Sequence, residues 1–297
     1  MGRELAAAYP SAREVFEEVD EALKQKLSRL IFEGPEADLL LTENAQPALM
    51  AVSMAAIRAL EREVGFDIRG GAVLVAGHSL GEYSALCATR AFSIADAARL
   101  LRQRGLAMQE AVAVGQGAMA ALLGLDLAAA SAVAADAAQG EICSAANDNA
   151  PGQVVVSGHR TAVERAVKLA AERGARRSVI LAVSAPFHCA LMKPAAEVMA
   201  KALNAGVVGS PILPVVSNVT ATAVADPETI RRLLVEQVTS MVRWRESMMF
   251  MKGQGVDTLI EVGAGRVLSG LARRIDPEFV AVSIQSPADL DTFAKTL

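Results

Sequence analysis

Apolar residues recur at three- and four-residue spacing over residues 11–31, where Val15, Phe16, Val19, Leu23, Leu27, Leu30 and Ile31 follow Ser11. That spacing predicts an amphipathic helix with Ser11 as its N-cap. A second helix is predicted from Thr42-Glu43-Asn44 through Met50, Met54, Ile57 and Leu60 to a break near Gly65. The pattern then switches. Ala72-Val73-Leu74-Val75-Ala76 is apolar without alternation and lies between Gly71 and Gly77, as expected of a parallel strand buried on both faces. The chain turns at once and re-enters helix through Glu82-Tyr83-Ser84-Ala85-Leu86. A further helix opens at the capping-box pattern Ser93-Ile94-Ala95-Asp96 and sets Ile94, Ala97, Leu101, Met108 and Val112 on one face.

From about Gly117 the predicted order is strand (118–123), helix (127–138), strand (141–145), strand (153–157), helix (161–173) and strand (178–183). A split β-α-β-β-α-β order of this kind is that of a ferredoxin-like unit. The expected fold class is α/β: a large α/β-hydrolase-like domain with a parallel sheet, formed by residues 1–115 and 184–297, into which a ferredoxin-like subdomain of residues 116–183 is inserted. Further strands are predicted at 213–216 and 258–262.

Composition narrows the class of function. With 53% apolar residues in a chain of 297, a full core can be buried. A net charge of −4 with scattered Lys and Arg provides no basic stripe, which argues against a nucleic-acid partner. Cys87, Cys143 and Cys189 are odd in number and far apart, so neither a disulfide framework nor a zinc knuckle is indicated and a reducing compartment is expected. No charge-free apolar run reaches the ~18 residues of a membrane span, and the first residues lack the apolar region of a signal peptide. A cytoplasmic protein, monomeric and without a membrane partner, is the expectation.

Gly77-His78-Ser79-Leu80-Gly81 lies between a predicted strand and a predicted helix, the setting of a G-x-S-x-G nucleophile elbow. The turn projects the Ser79 hydroxyl, and the following helix N-terminus, through the Leu80 N–H, faces the place where an oxyanion forms. A serine nucleophile needs a base, and the chain has three histidines. His78 adjoins Ser79, where side chains diverge, and reads as a packing residue. His159 follows a strand of the small unit and reads as a loop residue. His188 stands where the chain re-enters the large domain, a good place to line an interdomain cleft. More than a hundred residues follow it, which disfavours the Ser, acid, His order of simple hydrolases. Asp257, Glu261 or a backbone carbonyl could orient the imidazole. Arg104 shares the apolar face of Leu101 and Met108, so its guanidinium points inward. An inward arginine pairs with either a protein carboxylate or an anionic substrate, and its place one helix beyond Ser79 favours a bidentate clamp on a substrate carboxylate.

The segments 77–86 and 103–112 and the stretch around His188 together resemble the malonyl-CoA:acyl carrier protein transacylases, with support from Gln46-Pro47-Ala48-Leu49, from 147–156 and from 261–268. The resemblance implies Ser79 as nucleophile, His188 as base, Arg104 as clamp for the malonyl carboxylate and Leu80 as oxyanion donor. It also implies that the backbone carbonyl of Gln237 orients the histidine, and that His78, Met108 and Phe187 belong with the substrate-binding residues. Malonyl-CoA and holo acyl carrier protein are the implied partners, in a ping-pong reaction of fatty acid synthesis, and neither metal nor redox cofactor is implied. That family opens with a strand and a Gly-Gln-Gly-Ser-Gln motif, whose first glutamine supplies a second oxyanion N–H. Neither is present before Met1, so a longer natural protein is the expectation. The competing readings are a discrete polyketide-synthase acyltransferase, a serine thioesterase, and an inactive module that binds carrier protein.

Overall fold

The computed structural model describes residues 1–297. Its first correction to the sequence reading is at 11–31, which forms two helices. Pro10, with φ preset and no N–H to lose, opens the Pro10–Leu23 helix; Lys24 in the left-handed region (φ 52°) closes it before the Leu27–Glu33 helix begins. Ser11 therefore lies inside the helix, where its hydroxyl donates to Glu63 at 2.5 Å, and the N-cap is Tyr9. The periodicity runs on past the break because Leu27 and Ile31 are buried in the same core as Val15, Phe16 and Val19.

The Thr42–Ala59 and Ile94–Glu110 helices cross in that core. A methyl group on Gly105 would lie 2.4 Å from Cα of Glu43, so the close approach of these backbones requires glycine there. Leu101 and Met108 are fully buried on the facing side, each contributing roughly 1.5–3 kcal/mol by burial. Ser93 caps the second of these helices by accepting the Asp96 N–H at 3.0 Å.

Strand β1 is confined to Val75–Ala76, half-buried and far shorter than the predicted 72–76. The small unit follows with β2 (Gly117–Leu123), β3 (Cys143–Ala150), β4 (Gln153–His159) and β5 (Arg177–Ile180). They form one antiparallel sheet in the order β3-β4-β2-β5, backed by the Leu127–Ala138 and Arg160–Glu172 helices around a separate core. Strand β3 runs five residues past its predicted end through two register shifts. Its continuation binds the small unit to the remainder: Asp148, 1% exposed, accepts two hydrogen bonds from Arg245 Nε, and its N–H donates to Val242 O.

Strand β6 (Val215–Val216) pairs parallel with β1 and antiparallel with β7 (Ala223–Val224), whereas β8 (Thr258–Val262) pairs parallel with β9 (Val280–Ile284) alone. The single parallel sheet expected from the sequence is thus two separate pieces. In a parallel ladder both backbone groups of alternate residues face the same neighbour. The Val75 N–H donates to Pro214 O and the Gly263 N–H to Ile284 O. Leu74 and Ala76 on one piece, and Ile260 and Val262 on the other, therefore turn their backbone groups away from their partners. Both open edges border one apolar cavity of about 790 Å³, with Met248 and Met251 in its wall. No helix is long and apolar enough to cross a membrane.

Candidate active site

Ser79 occupies the turn between β1 and the Leu80–Ala88 helix, with φ 54° and ψ −111°. A non-glycine residue with this backbone is strained and persists only where its surroundings hold it. Here they do. The Ser79 N–H donates to Asn218 Oδ1 at 2.7 Å, Asn218 Nδ2 donates to Gly77 O at 2.8 Å, and Gln237 Nε2 donates to Ser79 O at 3.1 Å. Gly77 is required by closeness: a methyl there would stand 1.9 Å from the Gly81 carbonyl oxygen. Gly77→Ala is expected to destabilise the fold by at least 1–3 kcal/mol, the usual overpacking cost, and to displace Ser79. A lowered Tm together with lost reactivity at Ser79 is the expected pair of observations.

His188 comes from the segment after the small unit and also has positive φ, 58°. It is buried, and its Nε2 lies 2.8 Å from Ser79 Oγ. Its Nδ1 lies 3.0 Å from Gln237 O and 3.2 Å from Ser240 O. A carbonyl only accepts, so Nδ1 carries the proton and Nε2 turns its lone pair to the serine hydroxyl. Gln237 ends the Pro227–Gln237 helix, where carbonyls have no helical partner and the helix dipole favours positive charge. Burial, followed by the nearby Arg104 charge, lowers the His188 pKa to about 3, so the ring is neutral near pH 7. Asp257 and Glu261 are elsewhere: Asp257 bonds Thr258, and Glu261 accepts from the Leu268 and Ser269 amides.

Arg104 is 1% exposed. Its Nη2 donates to Ser79 Oγ at 3.1 Å and to Gln237 Oε1 at 2.9 Å, and its Nη1 donates to Gln46 Oε1 at 2.7 Å. Gln46 is held in turn by Thr42 Oγ1 at 2.8 Å, with Met108 Sδ 3.7 Å away. The cation lies 5.6 Å from the Tyr83 ring centre, and its Nε has no acceptor. Burial lowers its pKa, with Tyr83 and Glu82 opposing. No protein carboxylate forms an ion pair with it, so a buried guanidinium beside the serine hydroxyl is left to pair with an anion brought in by a ligand.

The structure thus brings Ser79, His188, Gln237 and Arg104 into mutual contact. The Leu80 N–H makes no hydrogen bond within the chain and sits at a helix start, where an oxyanion can be received. Met108 lies beneath Gln46, and Phe187 is half-buried between the large core and the small unit. His78 bonds Asn149 of β3 at 2.8 Å, linking the serine turn to the small unit. His159 accepts the Ile142 N–H at 2.9 Å, a fixed place at the end of the interior strand β4 instead of a free loop. Sequence reasoning missed three residues: Asn218, Gln46 and Glu82. For Asn218 the available signal was a polar residue just beyond the carboxyl end of a strand, the usual site of ligand contacts in parallel sheets.

The chain matches the family described as "Acyl transferase domain" over residues 1–274. It is similar to a malonyl CoA-acyl carrier protein transacylase of Bacillus subtilis, at 44% identity over 298 residues, covering 100% of this chain and 92% of the relative. Among solved structures it resembles an acyl-carrier-protein-S-malonyltransferase from Bartonella henselae, with TM-score 0.97 and 52% identity over 100% of this chain and 94% of that one. It also resembles a malonyl-transacylase in complex with its holo type II PKS acyl-carrier protein, with TM-score 0.96 and 42% identity over 100% of this chain and 95% of that one.

Proposed function

We propose a two-step malonyl shuttle for this chain, which belongs to the acyl transferase family and, within it, to the malonyl CoA-acyl carrier protein transacylases. One observation carries the reading. A strained serine hydroxyl lies 2.8 Å from a neutral, correctly tautomerised imidazole and 3.1 Å from a buried arginine that has no protein counter-ion. In the first step His188 Nε2 takes the Ser79 proton as Oγ bonds to the thioester carbonyl carbon of malonyl-CoA. The Leu80 N–H receives the oxyanion. The carbon–sulfur bond breaks, and His188 returns the proton to the departing coenzyme A sulfur. Arg104 pairs with the malonyl carboxylate throughout.

In the second step His188 takes the proton of the phosphopantetheine thiol of holo acyl carrier protein. The sulfur attacks the malonyl ester, and Ser79 Oγ leaves with that proton, giving malonyl carrier protein and free serine. The kinetics are ping-pong. The helix end at Gln237 favours the imidazolium formed in each step. His78, Met108 and Phe187 shape the acyl site from beneath and beside it.

We read the fold that presents this site as hydrolase-like, with residues 116–183 as a ferredoxin-like insert between 1–115 and 184–297, working in the cytoplasm. The likeness to a transacylase solved with a type II PKS carrier protein favours a second reading, in which the acceptor belongs to polyketide synthesis. Both share the first step. Incubation with malonyl-CoA should add one malonyl group by intact mass, acetyl-CoA should react far more slowly, and holo carrier protein should discharge the adduct. A protein that hydrolyses malonyl-CoA without loading the carrier would be a thioesterase. The faster of the two carrier types in the discharge step identifies the acceptor.

A further inference from the structure

We propose that Glu82 is a positioning residue for acyl transfer, whose carboxylate holds both polar struts of the Ser79 turn, Asn218 and Gln237. The proposal rests on the serine-ester reading above. Glu82 is 2% exposed on the first turn of the Leu80–Ala88 helix and touches neither the serine hydroxyl nor His188. Its Oε2 accepts the Gln237 Nε2–H at 2.7 Å and the Asn218 backbone N–H at 3.1 Å. Those two residues secure Ser79 from opposite sides: Asn218 Oδ1 accepts the Ser79 N–H, and Gln237 Nε2 donates to the Ser79 carbonyl. Gln237 also receives Arg104 on Oε1 and offers its backbone carbonyl to His188. One carboxylate oxygen therefore anchors the struts that set the serine backbone, the guanidinium and the imidazole.

The chemistry favours a carboxylate at this place over an amide or a protonated acid. Two N–H donors converge on one oxygen; an amide or acid carbonyl could accept both, but it forfeits the negative charge that strengthens each bond and sets a hydrogen at the other oxygen's place. Charge adds a second reason. Arg104 is buried without an ion-pair partner, and Glu82 is the anion joined to it through a single glutamine. The charged and titratable groups acting on Glu82 are Arg104, from the Ile94–Glu110 helix, and Tyr83, next to it on its own helix. Tyr83 is raised to about 12 by burial and stays neutral, and a guanidinium such as that of Arg104 keeps its charge through this range. Burial, opposed by the two hydrogen bonds and by Arg104, brings Glu82 to about 7. With His188 at about 3, the group of this cluster that changes charge near neutrality is Glu82, so the struts loosen as pH falls through 7.

The test measures single-turnover modification of Ser79 by intact mass between pH 5 and 9, with malonyl-CoA and separately with phenylmethylsulfonyl fluoride, which needs no malonyl site. The parent is expected to show an acid limb near pH 7 with both reagents. Glu82→Gln is expected to slow modification roughly 10–10²-fold at pH 8, the range for a lost hydrogen bond to a charged group, and to abolish the limb. Glu82→Asp should keep a limb, and folding of each variant is checked by Tm. A Glu82→Gln protein that retains the parent's rate at pH 8 overturns the proposal, and one that retains the parent's limb overturns it and moves the titration to another group. A parent that is sulfonylated but never malonylated defeats the malonyl reading, while the two sulfonyl profiles still decide the role of Glu82.

Discussion

Ser79→Ala yields a folded protein that takes up no malonyl group, and His188→Ala one that takes it up slower by several orders of magnitude. In triads that act as a unit, loss of the nucleophile or the base alone costs on the order of 10⁶-fold. The same scale is expected here because the two side chains share one hydrogen bond at 2.8 Å and no other base reaches Oγ. His78 cannot substitute, since its Nε2 is committed to Asn149. The fold should tolerate Ser79→Ala well, because the turn is held by backbone contacts to Asn218 and Gln237 that the substitution leaves in place. The measurement is intact mass after seconds to hours with malonyl-CoA. A malonyl ester forming on Ser79→Ala at the parent's rate would place the nucleophile elsewhere and end the mechanism given above.

Arg104→Ala is expected to lower kcat/KM for malonyl-CoA by roughly 10²–10³-fold, the range for loss of one member of a buried charge pair. It should leave the low rate with acetyl-CoA unchanged or raise it. The asymmetry is the diagnostic part. In the parent an acetyl group leaves the guanidinium unpaired in a dry site, and that penalty is the source of selectivity. Removing the guanidinium removes the penalty along with the attraction. Arg104→Lys should recover little, because a point charge cannot span Gln46, Gln237 and a carboxylate as the planar fork does. Equal losses with both thioesters would show that Arg104 serves only to brace Gln237 and the serine turn.

Much of this site was legible in the sequence because its chemistry is local. The elbow is five consecutive residues, and the inward direction of Arg104 follows from its spacing to Leu101 and Met108 along one helix. The alternatives left open for orienting His188 needed the tertiary fold, since a backbone carbonyl leaves no mark on residue type. Glu82 stood within the quoted motif but read as a helix residue, and its partners lie 136 and 155 residues away. In the fold, the small unit's elements were predicted in order because strand and helix patterns alternate cleanly along it. The break at Lys24 was invisible because residues on both sides of it face one core. Strands β7 and β9 went unpredicted, the first being only two residues long.

The way β6 meets the serine turn has a mechanical consequence for the nucleophile. Strand β1 is joined by backbone hydrogen bonds to β6 over two residues, and Ser79 follows just beyond the tip of that pair. Rigidity also reaches the serine by a route outside the backbone ladder. That route is the Asn218 side chain, which leaves the end of β6 and fastens to Gly77 and Ser79 on either side of His78. The serine turn is thereby braced by two elements through side chains, β6 through Asn218 and the Pro227–Gln237 helix through Gln237.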